Sequence, residues 1–319
     1  IYNNLDLEEK IGQLITVWVA TQYGEDEIKH ISKLIEDYKL GGLIFSLGDI
    51  KSQAKAINKF QKQSKVPLLI SMDAEWGIGM RLDDGFSFPY NMTLGAIEND
   101  SLIYQVGKRI GFHAKRLGVQ INFAPVVDIN TNPANPIIGF RSFGEDKYNV
   151  SNKALNYLKG MHHHWIMGAA NHFPGHGETE SDSHLTLPTI GFSKDRIDEV
   201  ELYPFKKLIE NGLDGIMTAH LNIPSLDKNK VSTLSKKVIN DLLINDLGFK
   251  GLVITDALDM KAIVDFSKGD YPDVSALNAG NDLLLMPTDV AKSIKELKKA
   301  IQKNKISTKT LEKAVKKNL

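Results

Sequence analysis

The chain has 319 residues, 42% of them hydrophobic and 24% charged, the balance of a globular protein with a large core. Lys plus Arg equals Asp plus Glu at 39 each, so no global field favours nucleic acid or an anionic membrane. Cysteine is absent, which excludes disulfides, thiolate metal sites and a cysteine nucleophile.

There is no run of 18 apolar residues, so no membrane span is expected. The chain begins at Ile1 rather than Met. A removed signal sequence and a trimmed start explain this equally well, so bacterial cytoplasm and periplasm both remain open as locations. The lysine-rich last thirty residues have the spacing of a solvated amphipathic helix face.

Short apolar, β-branched segments recur along the chain. Strands are expected at Leu14–Trp18, Gly42–Ser46, Pro67–Met72, Val119–Phe123, Ile166–Ala170, Gly215–Ala219, Gly251–Thr255 and Asp282–Met286. Such strands are continuously apolar rather than alternating, as in a parallel sheet buried on both faces. Between them the spacing predicts amphipathic helices at 26–38, 50–63, 101–117, 147–164, 196–211, 235–247, 273–280 and 289–303. In the 235–247 segment, Ser235 is placed to cap the helix and Gly248 to stop it. Alternating strands and helices point to a (β/α)8 TIM-type barrel over residues 1–319, with extra C-terminal helices; a doubly wound open sheet is the alternative. No composition shift or linker divides the chain into two domains.

The strands end in reactive residues: Asp73, Asp128, His172, His220 and Asp256. In a barrel the carboxyl ends of the strands open onto one face, and that face carries catalysis. An Asp at one such end is also what a helix N-cap requires; five ends of this kind on one face make a polar active site.

The densest stretch is Asn171-His-Phe-Pro-Gly-His-Gly-Glu-Thr-Glu-Ser-Asp-Ser-His184, with three histidines and an aspartate among turn-forming Pro174, Gly175 and Gly177. In an extended loop residues i and i+2 point to the same side. Asp182 can therefore accept a hydrogen bond from the His184 ring and raise its proton affinity, incidental surface polarity being the alternative. Ser183 points away from both and lacks a G-x-S-x-G elbow, which disfavours a serine triad. His172 and His176 have i, i+4 spacing, but Pro174 and Gly175 break the helix that a metal pair would need, so no metal is expected. His162-His-His164 reads as a solvated helix end.

Asp256 lies between a buried strand and the expected helix start Ala257-Leu-Asp-Met260 and is either a helix cap or a nucleophilic carboxylate. Asp73, Glu75, Trp76 and Arg81 combine carboxylates, a guanidinium and an aromatic face, the mixture a sugar site uses. Arg141, in Gly139-Phe-Arg-Ser-Phe-Gly144, adds a rigid cation.

Together these motifs resemble glycoside hydrolase family 3, in its β-N-acetylglucosaminidase branch. Asn171-His-Phe-Pro-Gly-His-Gly177 with Asp182-Ser-His184 is similar to that branch's K-H-F-P-G-H-G…D-S-H signature. Ile254-Thr-Asp256-Ala-Leu-Asp-Met260 is similar to the family's nucleophile motif. Asn122-Phe-Ala-Pro-Val-Val-Asp128, Arg141-Ser-Phe-Gly144 and the Asp73-to-Arg81 segment follow in the same order, and the likeness starts at Leu5-Asp-Leu-Glu-Glu-Lys-Ile-Gly-Gln13.

The resemblance implies a (β/α)8 barrel and retaining removal of terminal β-linked GlcNAc, from muropeptides or chitin-like oligomers. It makes Asp256 the nucleophile and His184, polarised by Asp182, the acid/base. Asp73, Arg81, Arg141, Asn171 and His172 would bind the substrate. It implies no cofactor or metal, a small carbohydrate as the only partner, and room for a further C-terminal domain. The chain departs from the signature at Asn171, where the family has Lys. Asn is shorter and neutral, and the lost charged contact is worth about 1–3 kcal/mol. A β-glucosidase of the same family, a phosphorylase and a non-catalytic sugar binder are the alternative expectations.

Overall fold

The computed structural model describes residues 1–179, 186–267 and 271–319. Eight parallel strands form the sheet: β1 (Ile15–Ala20), β2 (Gly42–Ser46), β3 (Leu69–Met72), β4 (Ile121–Asn122), β5 (Met167–Phe173), β6 (Gly215–Thr218), β7 (Leu252–Thr255) and β8 (Leu284–Leu285). Each strand pairs with its sequence neighbour, and β8 pairs with β1 through Ile15↔Leu284 and Thr16↔Leu285. The remaining seam is bridged at Ile254↔Leu283, where Leu283 N donates to Val253 O at 3.1 Å and Thr255 N donates to Leu283 O at 3.0 Å. The sheet therefore curls into a (β/α)8 barrel, and the open-sheet alternative falls.

Continuously apolar strands work here because alternate side chains enter two different cores. Ile44, Phe123, Ala169, Met217, Ile254 and Leu285 fill the barrel interior. Their neighbours, such as Leu43, Phe45, Ile216, Val253 and Leu284, pack outward against the helices. All eight expected strands are present. The short β8 understates its ladder: hydrogen bonds also engage Asp282, Leu283 and Met286.

Helices Gly24–Tyr38, Ile50–Gln63, Asp100–Leu117, Lys147–His162, Pro272–Ala279 and Val290–Gln302 stand where the apolar spacing puts them. The expected helix 196–211 is instead two, Lys194–Glu199 and Tyr203–Glu210, with Pro204 in the first turn of the second. Proline has no N–H to continue an existing helix, so it starts a new one. The 235–247 helix winds as a π-helix over Lys237–Asp246. Ser235 Oγ accepts from Val238 N at 3.2 Å, and Gly248 takes φ +69° at the other end. Three short helices, Leu7–Gly12, Asn91–Gly95 and Lys261–Phe266, are additional to the expected set.

Among the described residues no helix is long and apolar enough to cross a membrane. The C-terminal helix Thr308–Asn318 ties the last seam. Lys317 Nζ donates to Asp282 Oδ2 at 2.7 Å and to Gly251 O at 2.6 Å, and Asn318 Nδ2 donates to Asp282 O at 2.8 Å. Asp282 is buried and also accepts from Val253 N at 3.0 Å, so it joins β7, β8 and this helix. Burial raises its pKa, and Lys317 opposes that shift.

Removing one member of a buried ion pair leaves an uncompensated charge. Lys317→Met is expected to cost about 3–5 kcal/mol in urea unfolding, and Lys317→Met/Asp282→Asn to recover most of it. Equal loss in the single and double variants would contradict this role for the pair.

Candidate active site

The carboxyl ends of the strands open onto a cavity of about 740 Å³. Its floor is the barrel's own interior layer, Ile44, Met217 and Leu285, with Trp18 and Met286 beside them. Asp73, Arg81, Arg141, His172, His176 and Asp256 line its polar walls. Five of the eight residues expected at the site, Asp73, Arg81, Arg141, His172 and Asp256, are thus brought together. Asp182 and His184 lie outside the described residues.

Asp73 stands one residue past β3 and receives Arg81 Nη2 at 2.5 Å. Arg141 closes the turn Gly139–Arg141 and grips Glu75 with Nη2 at 2.7 Å and Nε at 3.1 Å. Burial works against the Arg141 charge, but Glu75, Asp128 and Asp73 together hold its pKa above the ordinary arginine value. Glu75 is only 1% exposed, so it orients Arg141 rather than facing the cavity. Its backbone is anchored in turn: Tyr157 Oη lies 2.9 Å from Glu75 O and 3.1 Å from Ala74 O.

His172 sits in β5 on a buried carboxylate. Asp128 Oδ2 accepts from His172 N at 3.1 Å and pairs with its Nδ1 at 2.7 Å, while Oδ1 accepts from His176 N at 2.7 Å. Burial would raise the Asp128 pKa, but His172, His176 and these N–H groups bring it below the usual carboxylate value. The partner shifts the other way: burial disfavours charge on His172, and Asp128 outweighs it, so its pKa rises. Arg141 Nη2 lies 3.4 Å from His172 Nε2. With His172 protonated both atoms are donors, and both can serve one acceptor oxygen in the cavity.

The segment from His172 to Gly177 can turn this tightly because of its glycines. Gly175 has φ +128°, and a Cβ on Gly177 would lie 1.7 Å from Ile129 O. His176 Nδ1 meets Thr179 Oγ1 at 2.7 Å, and burial, with His172 nearby, lowers its pKa to about 4.

Asp256 follows β7 directly. Its N–H donates to Thr218 O at 3.0 Å, and its Oδ1 accepts from Ala257 N at 2.8 Å. His220, another expected strand-end residue, is fully buried and braces the next stretch of backbone, with Nε2 2.9 Å from Ala257 O. Asn171 is buried at 1% exposure and is not among the residues lining the cavity. Its Nδ2 donates to Phe123 O at 3.2 Å, while Oδ1 has no hydrogen-bond partner among the described residues. Trp76 packs against Tyr90 and Phe140 instead of lining the cavity, and Trp18 supplies the aromatic wall. Among the described residues no group of three or more His, Asp or Glu side chains is disposed to hold a metal.

The family model described as Glycosyl hydrolase family 3 N terminal domain matches residues 6–319. The chain belongs to glycosyl hydrolase family 3. A similar curated relative, Beta-hexosaminidase A of Pseudoalteromonas piscicida, is 36% identical over 282 residues, covering 81% of this chain and 47% of that protein. Beta-hexosaminidase of Haemophilus influenzae strain PittEE is 34% identical over 279 residues, covering 85% of this chain and 79% of its own length. Among solved structures, a glycoside hydrolase family 3 β-N-acetylglucosaminidase from Paenibacillus sp. str. FPU-7 superposes with TM-score 0.92 at 36% identity, covering 98% of this chain and 61% of that one. The chain thus spans about half the length of the first of these curated relatives and under two thirds of the Paenibacillus chain.

Sequence reasoning placed Asp128 and Glu75 near the site of this family 3 barrel but not as supports for His172 and Arg141, and it gave His176 and Tyr157 no part. Asp128 had a signal, as a strand-end acid inside a family motif; the partners that give it a task are distant in sequence.

His176 generates a pH prediction. Its pKa is lower in the folded protein, about 4, than its ordinary 6.5, so the unfolded chain binds more protons between those values. This contribution to stability is fully present above pH 6.5 and is lost as pH falls through 4; a shift of that size is worth about 3 kcal/mol. Urea unfolding across this range should show a flatter pH dependence for His176→Gln than for wild type. Parallel curves would show that His176 does not carry it.

Proposed function

We propose that this family 3 barrel removes terminal β-linked N-acetylglucosamine with retention of configuration. The observation that supports it most is the Asp256 carboxylate on one cavity that also presents the Asp73–Arg81 and Arg141–His172 groups. Such a wall of paired donors and acceptors suits the hydroxyl and N-acetyl groups of a single sugar ring, and the apolar floor suits its C–H face.

In this reading an Asp256 oxygen attacks the anomeric carbon while the bond to the leaving oxygen breaks. His184, polarised by Asp182, gives its proton to that oxygen. Water then attacks the anomeric carbon of the glycosyl-Asp256 ester, the bond from that carbon to the Asp256 oxygen breaks, and the water's proton passes to His184, which restores both groups. A histidine acid/base keeps a second carboxylate away from Asp256, where it would raise the nucleophile's pKa. The scheme as written uses no metal or cofactor. Relatives named beta-hexosaminidase and the D-S-H loop support the N-acetylglucosamine preference. A Cellulomonas fimi relative named Beta-N-acetylglucosaminidase/beta-glucosidase, 26% identical over 318 residues, keeps glucosides as the second reading.

Asn171 is the one departure from the signature that touches binding strength. Its neutral amide reaches Phe123 O, so this position supplies no cation, and the reading expects a raised KM rather than lost chemistry.

With aryl β-GlcNAc as substrate, Asp256→Ala should lower kcat by at least about 10³-fold, the scale of losing a covalent nucleophile. Undiminished turnover in Asp256→Ala would remove the proposed mechanism. Aryl glucoside assayed at equal concentration separates the two sugar readings.

A further inference from the structure

The equal totals of basic and acidic residues conceal a separation by side of the barrel. Helices Ile50–Gln63, Asp100–Leu117 and Lys147–His162 stand side by side in the outer ring, because they lead into the neighbouring strands β3, β4 and β5. They lie close: a Cβ on Gly107 would come 2.1 Å from Tyr157 O, and one on Gly118 3.4 Å from Ile57 Cγ2. Together they carry eleven Lys or Arg, four on each of the first two and three on the third, against one acid, Asp100. The next helix round the ring, Gly24–Tyr38, reverses the sign with five acidic residues and two lysines.

Two of the eleven cations are paired, Lys153 with Asp100 at 2.5 Å and Lys147 with Glu199 at 3.5 Å. The other nine form no ion pair with a carboxylate among the described residues. Carboxylates at the borders of this face hold other groups. Asp49 and Asp84 accept from Ser52 N at 2.9 Å and Ile50 N at 2.8 Å, and Asp214 meets His162 Nε2 at 2.6 Å.

The charge gathers round one ring. Arg109 and Arg116 lie 5.1 and 5.7 Å from the Phe112 centroid, and His164 lies 5.5 Å from it. A depression of about 490 Å³ opens here, lined by Gln105, Lys108, Arg109, Phe112 and His164. Burial lowers the His164 pKa, and His163, Lys108 and Lys115 lower it further, so these groups share one positive field. The chain then turns at Trp165, with φ +61° and 84% exposure, the most exposed large hydrophobic side chain among the described residues. Core packing gives that indole no role.

We propose that this face docks the protein on a membrane surface bearing anionic phospholipid headgroups. Unpaired Lys and Arg supply the attraction to phosphate, and the Phe112 depression can seat one headgroup. An indole beside cations is the combination that settles at the boundary between headgroups and acyl chains. The cations spread over three parallel helices rather than along one groove, so they meet a plane better than a strand of nucleic acid. Among the described residues no helix can span a bilayer, so this contact is peripheral. Trp165 and Arg116 lie at the end of the barrel opposite the cavity, which leaves the cavity mouth open to substrate.

The test is co-sedimentation of the protein with vesicles of phosphatidylcholine alone and of phosphatidylcholine with about one third phosphatidylglycerol. Binding is expected to the anionic vesicles only, and to fall steeply as salt is raised from about 20 to 300 mM. The triple variant Lys108→Glu/Arg109→Glu/Lys115→Glu should lower the partition constant by about 100-fold, the scale for three juxtamembrane cations. Lys295→Glu/Lys303→Glu/Lys305→Glu changes net charge equally on another side and should stay within about threefold of wild type. Trp165→Phe should abolish the vesicle-induced blue shift of tryptophan fluorescence. Equal binding to both vesicles, no binding to either at low salt, or equal losses in the two triple variants would overturn the proposal. Tighter binding to duplex DNA than to the anionic vesicles at the same salt would overturn it too, and would assign the face to nucleic acid.

Discussion

The Asp128 carboxylate, 1% exposed, accepts hydrogen bonds from two backbone N–H groups and pairs with an imidazole, and the arrangement of the cavity wall depends on it. Moving a carboxylate out of water costs several kcal/mol, and each charge-assisted hydrogen bond offsets about 1.5–3 of that. The balance holds only while all three partners are in place. Asp128, from the segment after β4, therefore fixes both ends of the His172–His176 turn that follows β5. His172 reaches Arg141, Arg141 holds Glu75, and the Glu75 backbone rests on Tyr157 from the outer helix layer. His172, which lines the cavity, is thus connected to the barrel's outer helix layer through three contacts.

The same economy governs the floor. Side chains that fill the barrel interior end as the apolar base of the cavity, so filling the core and shaping the site are one packing problem. The barrel seam is held on the opposite principle, by a buried ion pair between Asp282 and Lys317 that draws the C-terminal helix into the closure. A helix that would read as a solvated appendage is bound to the last two strands.

Much of this was legible in the chain. The strands could be read because parallel strands buried on both faces are continuous apolar runs, and the helices because their apolar spacing is regular. What failed did so for local reasons. Pro204 divides one helix into two, and short helices such as Lys261–Phe266 have too few turns to show a period. Strand-end residues were legible as a group, but their division of labour was not. His220 braces the backbone beside Asp256, Glu75 orients an arginine, and Trp18 rather than Trp76 is the aromatic wall. Each of these roles depends on which side chain crosses the barrel mouth, and that depends on residues distant in sequence. Asp182 and His184, read from spacing and resemblance, lie outside the described residues.

The proposal that Asp256 forms the glycosyl ester ties the cavity to its chemistry. It is tested most directly by incubating the protein with a fluorinated N-acetylglucosaminide that forms its ester faster than the ester hydrolyses, then locating the added mass by peptide fragmentation. The account predicts one sugar-sized increment on the peptide containing Asp256, on its carboxylate. An increment on another residue, or rapid turnover of ordinary substrate with no adduct at any time, would contradict it.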